Sequence, residues 1–358
     1  MLEIKTETLQ MMVNKAVRGA SNNKLVPLTS YMRVRVSPNA FSLLTTDGMN
    51  YLEVSTDIEG ESLTAVVLAD TFTRLVRKLT GATVKLSLTD KYLVVECNGT
   101  YKLELLLDDD GNPVDFTMPK EFDSLEGKEK LGELSRETIS RILSSLRQSL
   151  AMDGTRSQYC CYRMGEEIIA TDSSLISILN TKVFESARLI SPECVNLLDA
   201  ITTDVAECYK ISDSSVVFVA GGDLLYTRLP VGIEKYNARA IKGFADEEFA
   251  NHCTINVQAV LSTLERIALF VGVYDAGAVN FVFGADGVTV SSKNTSGVEQ
   301  IEYETVDKEA DYSCILDVDS AITVFKAQSS QVVDLYFDGE QTLKLVDGDL
   351  VTIIALMN

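Results

Sequence analysis

The sequence has one histidine and six prolines in 358 residues, and its acids outnumber its bases 52 to 32. The lone His252 sits in FANHCTI with no metal-ligand spacing around it, so a histidine-built metal centre is excluded and the residue reads as structural. GxxxxGK(S/T), GxGxxG after a strand, HExxH and GxSxG are all missing. Catalysis therefore has no phosphate loop, zinc helix or nucleophile elbow to rest on, and the chain is expected not to be an enzyme, with no cofactor and no metal. The acidic DDDGNPVDF stretch fails as a calcium loop: with Gly111 as its central glycine, the first ligand falls on Leu106 and the closing Glu on Thr117. No run of about 18 apolar residues occurs, which excludes a membrane-spanning helix. MLEIKTETLQ alternates charged and apolar residues instead of placing a charged region before an apolar one, so no secretory signal is expected. The seven cysteines include the adjacent Cys160 and Cys161 but no CxxC, and read as buried thiols of a reducing, cytoplasmic compartment. The shortage of base argues against nucleic acid if charge is spread evenly, because phosphate contacts need a basic surface.

What is present is a folded chain, 46% hydrophobic and without low-complexity tracts, long enough for two or three domains. Comparing it with itself finds three copies of one unit. Each opens with a short strand and an amphipathic helix: LEIKTETLQMMVNKAVRG from Leu2, GELSRETISRILSSLRQSL from Gly132 and CTINVQAVLSTLERIALFVG from Cys253. Leu9, Met12, Val13, Ala16 and Val17 form the apolar stripe of the first helix; Ile139, Ile142, Leu143, Leu146 and Leu150 form that of the second. The following strand is marked by Thr46, Thr171 and Ser292, and a second strand and helix by Leu68, Ile190 and Leu316. These landmarks recur roughly every 120 to 130 residues. Alternating strands close each copy, with Asp-Gly or Gly-Asp hairpin steps at 110, 222, 286, 338 and 347. The expected architecture is α+β: three repeated domains at 1–120, 129–242 and 248–358, each with two helices packed on antiparallel sheets. The joins are the polar DDDGNPVDFTMPKEFDSLEGKEK and a shorter one near Ala240 to Phe249.

The charge is not spread evenly. An amphipathic helix keeps one face on the sheet and one in water, and the bases collect on the helix segments: Lys15, Arg18 and Lys24 in the first, Arg74, Arg77 and Lys78 in the second, Arg136, Arg141 and Arg147 in the third. Arg74, Arg77 and Lys78 share a helix face at i, i+3, i+4 spacing. A modest basic lining in an acidic shell suits weak, sequence-independent contact with a phosphate backbone. These nine residues are the candidates to face DNA.

KLVPLTSYMRVRV followed by FSLLTTDGMNYLEVS, VVLADTFTRLVRKL beside YLVVECNGTYKLELLL, IIATDSSLISIL in the second copy and a closing apolar strand give the chain its resemblance. In order and spacing it resembles the bacterial sliding clamp, the beta subunit of DNA polymerase III, along its full length. The resemblance implies a head-to-tail homodimeric ring of clamp domains around double-stranded DNA, which tethers a replicative DNA polymerase and is served by a clamp loader. By matching position it implies a dimer interface at Leu103 and Leu105 on one edge and Leu269 and Phe270 on the other. It also implies a partner-peptide pocket at Thr171, Ser173, Leu175, Ile176, Tyr236, Arg239, Ile353, Ile354, Ala355, Leu356 and Met357. The family's Thr-Asp-Gly-His-Arg-Leu reads TDSSLI here, its Phe-Pro-Asp-Tyr reads IEKY and its Met-Pro-Met-Arg-Leu ending reads IALMN, as a divergent or phage-encoded member would show. The alternative is an acidic clamp-fold scaffold that binds partner peptides without closing around DNA.

Overall fold

The helices form where apolar stripes recur, with or without a capping side chain at the start. The structure, a computed structural model, describes residues 1–272, 277–307, 311–337 and 341–357. Among these, seven α-helices occur: α1 (Thr6–Ala16), α2 (Ala69–Val76), α3 (Arg136–Arg141), α4 (Pro192–Ile201), α5 (Ala238–Ala245), α6 (Val257–Ile267) and α7 (Val318–Lys326). On α1 the predicted Leu9, Met12, Val13 and Ala16 are all buried. Side-chain oxygens cap three N-termini by accepting from the backbone N–H three residues on: Asn237 at α5, Asn256 at α6 and Asp317 at α7. No helix among the described residues is long and apolar enough to cross a membrane.

Two compact units divide the chain: residues 1–139 with 193–229, and residues 140–192 with 230–358. The second sequence repeat therefore contributes to both. The first unit holds an eight-stranded antiparallel sheet in the order Leu63–Leu68, Tyr31–Ser37, Ala40–Thr46, Asn50–Asp57, Asp223–Arg228, Ser215–Ala220, Val205–Ser212 and Lys130–Ser135. Four of its strands come from the first repeat and four from the second, joined where Tyr51 pairs with Tyr226. A four-stranded sheet of Leu2–Lys5, Thr83–Leu88, Tyr92–Glu96 and Thr100–Glu104 completes the unit.

The second unit repeats this plan. Arg188–Ile190, Tyr162–Met164, Ile168–Thr171 and Leu175–Leu179 join Leu350–Ala355, Thr342–Asp347, Val332–Phe337 and Asn251–Asn256, with Thr305–Asp307 as a ninth strand. A four-stranded sheet of Val298–Glu302, Gly287–Ser292, Ala278–Phe283 and Tyr312–Asp317 lies beside it in sequence. The core of this unit gathers Val260 and Leu264 of α6, Phe325 of α7 and the stacked Phe283 and Phe337 rings, whose centroids are 4.0 Å apart.

The repeat landmarks acquire a physical meaning. Thr46 and Thr171 end equivalent strands, and each hydroxyl donates across its turn, to the Asn50 carbonyl at 2.6 Å and the Leu175 carbonyl at 2.8 Å. Ser292 ends the third such strand, and its hydroxyl oxygen accepts the Gly297 N–H at 3.1 Å.

Two expectations need correction. The segment 134–150 is not one regular helix: after α3 the backbone widens into a π turn, Ile142–Leu146, and then a 3-10 turn, Arg147–Ser149. The buried Ser145 hydroxyl, donating to the Ala327 carbonyl at 2.8 Å, sits in that widened turn. The join near Ala240 to Phe249 is largely α5, whose Ile241 is buried. The step at 110 turns the chain back on itself as expected, with Leu107 and Pro113 in an isolated antiparallel bridge and Asp108 accepting the N–H groups of Asp110 and Asn112. Hairpins also occur at 222, 286 and 347, and the step at 338 lies outside the described residues. No disulfide forms; five cysteines are buried, while Cys97 and Cys160 are only half-buried. Burial pushes the Cys253 thiol up to about 12.

Candidate partner groove and nucleic-acid surface

In the second unit, Leu175–Leu179 pairs antiparallel with Leu350–Ala355, setting Leu175 opposite Ile354 and Ile176 opposite Ile353. Successive side chains alternate between faces. Leu175 and Ile354 consequently enter the core around α6 and α7, whereas Ile176 and Ile353 face Tyr236 and Ile241, at and just before α5. On this second face a cavity of about 270 Å³ opens, lined by Ser173, Ser174, Ile176, Phe244, Gln341, Thr342, Ile353, Ala355 and Leu356.

Five of the sequence candidates line it: Ser173, Ile176, Ile353, Ala355 and Leu356. Leu175 and Ile354 do not, because the alternation turns them to the other face. Thr171 is buried and builds the rim turn: its hydroxyl oxygen accepts the Ser173 N–H at 3.0 Å. Asp172 holds the same turn by accepting the N–H groups of Ser174 at 2.8 Å and Leu175 at 2.7 Å. Tyr236 is a buried floor residue, its hydroxyl donating to the Ile169 carbonyl at 3.3 Å and burial raising its pKa. Arg239 is exposed on α5, and Met357 donates its N–H to the Ile315 carbonyl at 2.9 Å; neither lines the cavity.

The sequence reading missed Ser174, Phe244, Gln341 and Thr342. The Asn237 cap followed by Ile241 and Phe244 at i, i+3 spacing was the available signal for an amphipathic helix here. Lys344 fastens the far end of that helix: its ammonium donates to the carbonyls of Ala245 and Glu247, both at 3.1 Å, and lies over the Phe249 and Tyr336 rings. Burial lowers the Lys344 pKa. His252, the lone histidine, is tilted by 31° against the same Tyr336 ring, and its Nε2 lies 3.1 Å from an Asp334 oxygen.

The equivalent junction in the first unit is occupied by aromatic side chains, and the cavity there, about 390 Å³, is displaced along the strand pair to Glu53 and Leu224. Where the groove has Ser174, Ile176, Ile353 and Ala355, that junction carries Met49, Tyr51, Tyr226 and Arg228, with the two tyrosine rings edge-to-face at 5.9 Å. Phe116 and Met118 of the polar join pack over Leu44 and Val66, and the Tyr226 hydroxyl donates to Glu121.

The candidate DNA-facing bases separate into committed and available groups. Lys15 pairs with the buried Asp223 at 2.8 Å, and Arg136 pairs with Asp199 at 2.8 Å. Arg18 lies 3.9 Å from Asp199. Arg141 contacts Asp349 at 2.9 Å and donates to the Asp347 carbonyl at 3.0 Å, which pins the turn after Thr342–Asp347. Arg74 pairs with Asp70 on α2. Arg77, just past α2, donates to the Asn14 oxygen of α1 at 2.7 Å and holds the two helices together. Lys24, Lys78 and Arg147 are exposed and make no ion pair among the described residues; Lys24 lies in a loop, not on the helix where its neighbours suggested.

Among the outer strands, Thr100–Glu104 ends one four-stranded sheet, opposite Leu2–Lys5, and Val298–Glu302 ends the other, opposite Tyr312–Asp317. Leu103 and Leu105 are buried within the first unit, whereas Leu269 and Phe270 are 81% and 49% exposed. Phe270 lies against Gly297, where a Cβ would come within 2.9 Å of its ring.

No protein-family model matches this chain, and no curated protein matches it. Solved structures do. The beta subunit from DNA polymerase of Streptococcus pyogenes superposes with a TM-score of 0.86 at 16% identity, covering 99% of each chain. The DNA polymerase sliding clamp of Bacillus subtilis gives 0.83 at 15% identity, covering 99% of this chain and 98% of that one. The DNA polymerase III beta subunit of Thermotoga maritima gives 0.83 at 14%, covering 100% and 99%. The chain thus has the fold of the bacterial beta clamps over its whole length.

Proposed function

We propose that this chain is a DNA sliding clamp without catalytic activity: two copies close head to tail around duplex DNA and tether a DNA polymerase through the groove beside α5. The observation that carries the reading is the pair of open half-sheets. Each large sheet joins a four-stranded half of one repeat to the matching half of the next, with Thr305–Asp307 added as a ninth strand in the second, and the two small sheets are such halves lacking their mates. A second copy supplies both mates by a two-fold operation and pairs the Thr100–Glu104 and Val298–Glu302 edges. Extending the internal pairing, Tyr51 with Tyr226 and Ile176 with Ile353, sets Gly297 opposite Leu103 of the partner subunit, with Phe270 beside it. The solved proteins that share the fold are clamps by name, which supports the same role here, together with service by a clamp loader and residence in the cytoplasm.

DNA contact then falls to Lys24, Lys78 and Arg147, which suits loose, sequence-independent sliding. The extensive pairing of Lys15, Arg136 and Arg141 with acids keeps a second reading in view, an acidic scaffold that takes partner peptides without encircling DNA. Native mass and topology separate the two. A clamp gives a particle of about 78 kDa, twice the 39.2 kDa chain, that after loading is retained on nicked circular DNA and released when the circle is cut. A monomer that is never retained sinks the clamp reading.

A further inference from the structure

The rim of the groove contains a residue whose backbone does not suit it. Ser173 has φ +86°, a left-handed conformation that side chains rarely adopt. The twin turn in the first unit has the same hydrogen bonds but places glycine there, Gly48 at φ +99°. Serine at this position is therefore strained relative to glycine, and the strain is held by Thr171 and Asp172. What the side chain adds is an acceptor: the Ser173 hydroxyl oxygen takes an N–H of the Arg156 guanidinium at 2.8 Å. Arg156 is steadied beneath by the Tyr159 ring, 6.0 Å from its centroid, and Tyr159 in turn meets Tyr236 edge-to-face at 5.1 Å. In a chain of net charge -20, Arg156 is exposed and makes no ion pair among the described residues.

We infer that Ser173 and Arg156 form an acid-reading rim, so that the partner peptide places a carboxylate on the Arg156 guanidinium while its apolar residues fill the groove. The inference rests on the reading of this groove as a partner site. One guanidinium N–H is spent on Ser173, and the exposed Arg156 keeps its remaining donors beside a groove lined by apolar and hydroxyl side chains and one amide, with no charged group among them. A guanidinium fixed from below and from one side loses little freedom when a carboxylate arrives, and the fork geometry favours two parallel hydrogen bonds. Ser173 is thus a positioning residue, and its strain is offset by that alignment.

The test is selection of random heptapeptides on the full-length protein, followed by binding of one fluorescein-labelled selected peptide and its twin with the acid replaced by the amide. The wild type enriches peptides with an acid beside apolar residues and binds the acidic peptide about tenfold tighter than its twin. Arg156→Ala abolishes the acid preference and leaves affinity for the amide twin within about twofold; Arg156→Lys restores part of it. Ser173→Gly and Ser173→Ala both weaken the preference, but only Ser173→Gly raises Tm, by about 2 °C, because only it relieves the strain. An acid preference that is absent in the wild type, or unchanged in Arg156→Ala or in both Ser173 variants, overturns the rim. If no peptide is enriched at all, the partner-groove reading beneath it fails as well.

Discussion

Ile354 and Ala355 are chain neighbours with opposite duties. Ile354 is 1% exposed and packs among Leu175, Leu343 and the helices α6 and α7, whereas Ala355 is exposed on the groove. Truncating Ile354 leaves a cavity in a close-packed core, so Ile354→Ala should lower unfolding free energy by about 2 to 4 kcal/mol in denaturant titration. Ala355→Asp should leave stability within about 0.5 kcal/mol, because its side chain reaches solvent. It should nonetheless cut affinity for any groove-bound peptide at least about tenfold, since the peptide would bury an uncompensated carboxylate. Equal effects of the two substitutions on folding would contradict the facing assigned here. The sequence reading placed residues 353 to 357 together in one wall; an apolar run names a strand without saying which of its faces meets which neighbour.

At the scale of elements, Asp347 ties the turn after Thr342–Asp347 to the segment following α7. It is buried, and its two oxygens accept from the backbone N–H groups and hydroxyls of Ser329 and Ser330. Burial alone would raise its pKa, but these hydrogen bonds prevail and hold it below the ordinary 3.8. With the folded pKa depressed, the unfolded chain binds the proton more readily, and the contribution to stability is complete above that ordinary value and lost as pH falls below it. Asp347→Asn should therefore destabilise the protein at neutral pH and flatten the decline of Tm at acid pH. A variant whose Tm falls with acid as steeply as the wild type would show that other carboxylates govern that decline. The same turn receives Arg141, a residue whose sequence position suggested DNA and whose tertiary surroundings give it a structural task.

For the whole molecule, the exposed Leu269, Phe270 and Val298 beside an unpaired edge strand are a liability in a lone chain and a seam in a ring. Phe270→Glu places a charge at that seam while disturbing little of the chain's own core, because the ring is half exposed. The expected outcome is a folded protein with unchanged circular dichroism whose native mass falls from about 78 kDa to the 39.2 kDa of one chain. A variant that keeps the larger mass would place the subunit contact elsewhere.

The sequence by itself determined the local elements and their repetition. Hydrophobic periods mark the helices, and the hydroxyls of Thr46, Thr171 and Ser292 recur because each ends its strand with a hydrogen bond into the following turn, Thr46 and Thr171 in the same way. Those signals are local, carried within a few residues of where they act. Only the tertiary structure decided which repeats share a sheet, where each junction opens and which bases remain available. The groove opens where Ser174, Ile176, Ile353 and Ala355 meet, whereas two tyrosine rings occupy the matching place between Met49 and Arg228. Lys15 is spent on Asp223, 208 positions away along the chain. Such outcomes depend on strand register and on partners remote in sequence, and a periodicity within one segment carries no information about either.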